Sequence, residues 1–148
     1  MNEVLAMKRM FFLLISMLML FTVGCSDEPM PSRLVELEKY SDLTMDRVAS
    51  IEVVYNYIKG EETTYEFVIE DQETIGRIMT EVYNIELKDY PDNQDIDFYQ
   101  RWITVNQGDN EFYINLAYVS DGDGNIYLCQ SRKVSDIIEE YIENNLIQ

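Results

Sequence analysis

Histidine is absent from the 148 residues. That removes the side chain most often used near neutral pH as a general base or a metal ligand. Cysteine occurs only twice, and proline and glycine number 3 and 6. Cations are scarce: Lys and Arg total 11 against 28 Asp and Glu, a formal net charge of −17. Such a chain repels a phosphate backbone, so nucleic acid is excluded as a partner. The longest apolar run, from Met10 to Phe21, falls short of the ~20 residues needed to span hydrocarbon. What remains is a chain that is 47% apolar and 12% aromatic, too much for disorder despite the charge, and of a length suited to one domain.

The N-terminus reads as an address. Lys8 and Arg9 precede the apolar run, and Thr22, Val23, Gly24 and Cys25 end it; a basic start, short apolar middle and small residue at the cut describe a secretory signal over residues 1–24. Translation starts at Met1 or at Met7. The end of the run resembles the lipobox of bacterial lipoproteins, with Thr22 in place of the usual Leu. The resemblance implies cleavage before Cys25 and diacylglycerol on its thiol. The partner there is the membrane, and the domain stands outside the cytoplasm on the cell membrane or outer membrane. Two acyl chains are needed, because each buried CH₂ contributes ~0.8 kcal/mol and one chain alone holds marginally. Losing Lys8, Arg9 and Glu3 makes the mature chain one unit more negative, so the protein body adds no attraction to anionic headgroups. With Cys25 acylated, Cys129 has no internal disulfide partner.

Residues 25–46 read as the lipidated Cys and a tether. Pro29 and Pro31 break its start, and Ser32 caps a short helix carrying Leu34, Leu37 and Tyr40, which docks on the domain or stays loose. Residues 47–148 read as a single α+β domain. Ile51, Val53, Tyr55 and Tyr57 alternate with Glu52, Val54 and Asn56, and after a turn at 59–62 Tyr65, Phe67 and Ile69 alternate with Glu66, Val68 and Glu70, giving a hairpin. Asp71 caps a helix whose stripe is Ile75, Ile78, Met79 and Val82. Residues 88–97 form an acidic loop. Strands follow over Phe98–Asn106, over Phe112–Tyr118 and over Ile126–Cys129. A last helix, capped by Ser131 or Ser135, carries Val134, Ile138 and Ile142. The expected fold is an antiparallel sheet of about five strands with two helices, in the order β-β-α-β-β-β-α. Behind its lipobox this pattern resembles the small domains of bacterial envelope lipoproteins, a likeness that carries over no catalytic residue.

Candidate chemistry is sparse. Asp121, Asp123 and Asn125 stand at alternate positions, as in the first half of an EF-hand loop, and Ca²⁺ is the cofactor such a loop would take. The match ends at Ile126, where Gly belongs, and at Arg132, where Glu belongs; the same residues also make an ordinary hairpin turn. Asp89, Asp92, Asp95 and Asp97 form a denser acidic loop, either solvated or cation-binding. Paired carboxylates can hydrolyse glycans, but no spacing singles out a pair, and no Ser-x-x-Lys occurs. Cys129 reads as a small buried apolar residue. If Ile126 and Leu128 face the core with Ile103, Val105, Ile114 and Leu116, then Trp102, Tyr113 and Tyr127 share the opposite face of the last three strands. Those aromatics either support the sheet or grip a cationic protein. The sequence thus points to a non-catalytic binding or inhibitor-like module for a basic envelope protein. The alternatives are a Ca²⁺-responsive structural module and a wall-polymer hydrolase.

Overall fold

In the computed structural model, which describes residues 30–59, 61–90 and 100–147, the alternating segment after Val48 forms β1 (Ser50–Lys59), paired antiparallel with β2 (Glu61–Ile69). Ile51, Val53 and Tyr55 are buried while Glu52 is exposed, the in–out pattern of a sheet with one solvated face. Helix α1 (Gln72–Tyr83) follows. The Asp71 carboxylate accepts the Thr74 N–H at 2.8 Å, closing the helix start, and Ile75, Ile78, Met79 and Val82 are all buried. Beyond α1 come β3 (Leu87–Asp89), β4 (Arg101–Gln107), β5 (Asn110–Asn115), β6 (Tyr118–Ser120), β7 (Ile126–Cys129) and α2 (Arg132–Asn145).

The class is α+β, and the order matches the expected one apart from two additional short strands, β3 and β6. These strands change the architecture, because there are two sheets and not one. The larger has the order β2-β1-β4-β5, and the smaller β3-β7-β6. Lys88 and Asp89, expected to open a loop, pair with Leu128 and Tyr127, and Leu87 before them pairs with Cys129. The strand expected to run unbroken to Tyr118 stops at Asn115. There the side-chain Oδ1 accepts the N–H groups of Ala117 at 2.8 Å and Tyr118 at 3.3 Å. An Asn side chain that captures backbone donors ends a ladder and turns the chain.

Helix α2 covers the inner face of the larger sheet. Tyr55 donates its hydroxyl proton to Glu139 Oε1 at 2.7 Å, and Tyr57 donates to Glu143. The Phe67 ring stacks on Tyr141 with centroids 5.3 Å apart. The two helices are joined at the surface by Arg77–Glu140 at 2.6 Å. Ser131 takes the position before α2, but its hydroxyl makes no capping bond and donates to the Leu116 carbonyl. It therefore ties the helix start to the end of β5.

Of the two expectations for the stretch after Pro31, the structure shows docking, and the folded unit begins at Pro31. Leu34, Leu37, Tyr40 and Leu43 are buried in the same core as the strands. The local form is a series of short 3₁₀ turns, Leu34–Glu36, Glu38–Tyr40 and Met45–Arg47, and not one α-helix. Ser32 does not cap it: the Glu36 carboxylate accepts the Ser32 N–H at 2.7 Å and the Arg33 N–H at 3.1 Å. Those backbone bonds hold the Glu36 carboxyl below the usual range. Long-range bonds then fix the segment, Leu34 N–H to the Ile85 carbonyl at 3.0 Å and Leu87 N–H to the Ser32 carbonyl at 2.9 Å.

Candidate functional site

The outer face of the four-stranded sheet is the surface where two of the three expected binding residues, Trp102 and Tyr113, come together. Since Ile69, Ile51, Val105 and Phe112 form one buried row across the strands, and Val53, Ile103 and Ile114 lie in the next, their sequence neighbours point outward. One outward row across the sheet is Glu66, Val54, Trp102 and Asn115. The next is Val68, Glu52, Thr104 and Tyr113. Trp102 and Tyr113 sit diagonally across β4 and β5, with ring centroids 6.1 Å apart and planes tilted by 39°. This is the reach expected of aromatic neighbours on a sheet. Tyr113 is 54% exposed, and Val68 and Ile58 are similarly open. Partial burial raises the Tyr113 hydroxyl above its ordinary pKa, so it remains a neutral donor.

The electrostatics of this face have one sign. Its outward strand positions include Glu52, Glu62, Glu66 and Glu111, and none is Lys or Arg. Two of the four are held in place: Glu52 accepts from Asn106 Nδ2 at 3.0 Å, and Glu62 from Asn56 Nδ2. Asn56 is buried, and its Oδ1 has no partner among the described residues. The inner-face cation Arg101 is turned away, its guanidinium 5.0 Å over the Tyr55 ring.

Tyr127 does not belong to this face. It is 6% exposed, lies in the smaller sheet between Asp89 and Val119, and donates its hydroxyl to Asp121 Oδ2 at 3.1 Å. Ile126, expected in the core, is 39% exposed, and Leu128 is only half-buried. The phase of β7 is thus one residue from the expected one, and a one-residue slip exchanges the faces of a strand. What the expected trio omitted was the pair of N-terminal strands. Because β4 pairs with β1, Val54 lies opposite Trp102 and Glu52 diagonal to it, with Glu66 and Val68 one strand further along the same face. Their outward alternation was readable; their adjacency to Trp102 was not.

Asp121, Asp123 and Asn125 form a turn closed from within. Asp121 accepts the Asp123 N–H at 2.8 Å, the Asn125 N–H at 3.2 Å and Asn125 Nδ2 at 2.6 Å, besides the Tyr127 hydroxyl. These donors, the Asn125 amide foremost, hold the Asp121 carboxyl below the usual range. Gly122 and Gly124 supply the φ values of +98° and +100° that the bend requires. Both Asp121 oxygens are thus engaged by protein donors, and among the described residues no group of three acidic or thiol side chains is arranged to hold a metal. Cys129 is buried in β7, where desolvation pushes its thiol up to about 12, opposed by the charge of Lys39. A thiol so protonated is a poor nucleophile. A shallow groove between the helices is lined by Arg77, Glu81, Lys133 and Asp136. Its charges are matched, Arg77 with Glu140, Lys133 with Glu81 and Asp136 with Arg132. The expected signal, Cys25, and Asp92, Asp95 and Asp97 lie outside the described residues. No helix among the described residues is long and apolar enough to cross a membrane. Comparison with protein-family models, with curated proteins and with solved structures finds no match to this chain.

Proposed function

We propose that this chain is a bacterial envelope lipoprotein, anchored through diacylglycerol on Cys25. Its α+β domain binds a basic protein through the outer face of the larger sheet and catalyses nothing. One observation carries the binding reading: an aromatic pair, the exposed Tyr113 and the half-buried Trp102, stands among Glu52, Glu62, Glu66 and Glu111 with no outward Lys or Arg on those strands. Large aromatic rings supply contact area at low entropic cost and dominate interface energetics. Carboxylates of one sign speed the encounter with a cationic surface and discriminate against anionic ones. The lack of His, the protonated Cys129 and the engaged Asp121 support the non-catalytic part.

Capture from envelope extract across a salt series tests this reading, with wild type, Trp102→Ala and Glu66→Lys compared side by side. A specific partner should be retained by wild type at low salt, released as salt rises, and lost from both variants. Retention that ignores salt, or that both variants share with wild type, overturns the proposal. The anchor is tested separately: Cys25→Ser should move the protein from the membrane to the soluble fraction.

A further inference from the structure

The two edges of the larger sheet are treated differently by the fold. On the β5 edge, the docked N-terminal segment intervenes, and Tyr40 donates its hydroxyl to the Tyr113 carbonyl at 2.8 Å. At the other edge lies β2, 9 residues long and paired with β1 without interruption from Ile51↔Ile69 to Lys59↔Glu61. On its far side no described element forms a backbone hydrogen bond to it. Exposed edges of this length are normally blunted by Lys, Pro, a bulge or a covering element. β2 has no Lys, no Pro and no bulge, and its charges are the carboxylates of Glu61, Glu62 and Glu66.

We infer that β2 is a strand-addition site that accepts an extended segment of the partner protein in which cationic and apolar residues alternate. The inference rests on the basic-partner reading and specifies how that partner binds. Backbone groups on the free side of β2 supply the affinity, as in other cases where a peptide extends a sheet. The alternation follows from what lies beside the added strand. On the outer face its side chains stand next to Glu62 and Glu66; on the inner face they stand next to the half-buried rings of Tyr65 and Phe67. A second copy of this chain fits poorly, since it would lay one acidic strand along another, and like charges opposite each other destabilise a pair.

The test uses the full-length chain and two synthetic peptides as long as β2. In the first, Lys and Val alternate; in the second, one Val and the Lys next to it carry N-methyl groups on their backbone nitrogens, so the charge is unchanged and a donor facing β2 is gone whichever way the added strand runs. The first peptide should bind with saturation, weaken as salt rises, and slow hydrogen exchange at the β2 amides that do not bond to β1. The second should bind roughly tenfold more weakly or worse, because each missing bond to the edge is felt in the affinity. Equal binding of the two peptides, or binding without protection of β2, overturns strand addition while leaving the basic-partner reading standing. No binding of either peptide at low salt overturns both. Protection of β2 that grows with protein concentration in the absence of peptide identifies self-pairing instead, and also overturns the inference.

Discussion

In the four-stranded sheet Ile51, Val53, Tyr55 and Tyr57 of β1 and Ile103 and Val105 of β4 enter the core, and of the residues between them all but Asn56 reach solvent at least in part. In the three-stranded sheet the strands are three or four residues long, and Leu87, Val119, Tyr127 and Cys129 are the buried ones. The difference lies in what sets the phase. A long strand with one solvated face carries enough alternation to specify its own register, because any slip would put several apolar side chains into water. A short strand between two side-chain-closed turns inherits its phase from those turns. Here Asn115 fixes the start of β6 and Asp121 the start of β7.

The contrast is sharpest in stability. Ile103→Ala, at a fully buried position of β4, should cost about 2–5 kcal/mol in denaturant unfolding, while Thr104→Ala beside it should stay within about 0.5 kcal/mol. A comparable loss at both positions would contradict the two-faced sheet. In the smaller sheet Tyr127→Phe should cost about 1–3 kcal/mol by removing a hydrogen bond to a charged acceptor, whereas Ile126→Ser should be nearly silent. The reverse ranking would restore the other phase of β7.

Asp121→Ala should lower stability through the loss of a side-chain cap on backbone donors, and by the same amount in Ca²⁺ and in chelator. A loss that appears only with Ca²⁺ would make this turn an ion site. The alkaline limb of the pH profile distinguishes the two sheets most finely. Burial raises the Tyr55 hydroxyl in the larger sheet to about 12 from an ordinary 10, and the Cys129 thiol in the smaller sheet to about 12 from an ordinary 9. A raised pKa means that the folded chain holds the proton more tightly than the unfolded chain. The contribution of Cys129 is therefore complete below pH 9 and that of Tyr55 below pH 10, and each is lost as pH rises toward 12. Cys129→Ala should flatten the decline that begins above pH 9, and Tyr55→Phe the one above pH 10. Urea midpoints across pH 8–11 measure both, and unchanged slopes would refute the assignment.

Some of this was readable from single residues and some was not. Asp71 as a helix cap, the stripe from Ile75 to Val82 and the alternation of β1 and β2 depend on contacts within a few residues, and all are present. Ser131 occupies its expected place but bonds to Leu116, a choice made by a strand well upstream. Of the candidate site, the outward positions of Trp102 and Tyr113 followed from the same alternation as Ile103 and Ile114. Tyr127 was misplaced because the strand break at Asn115 looks, in sequence, like one more polar residue on a solvent face.

Sequence alone determined the α+β class, both helices, the in–out sense of the long strands and the net negative charge, since periodicity and composition are local or additive properties. Only the tertiary structure decided that β4 lies against β1, that β7 joins a second sheet, and that Leu34, Leu37 and Tyr40 lie by one edge while no described element pairs with the free side of β2. Those outcomes depend on which apolar faces find each other across long stretches of chain, and loop closure leaves no periodic trace in the residues it joins.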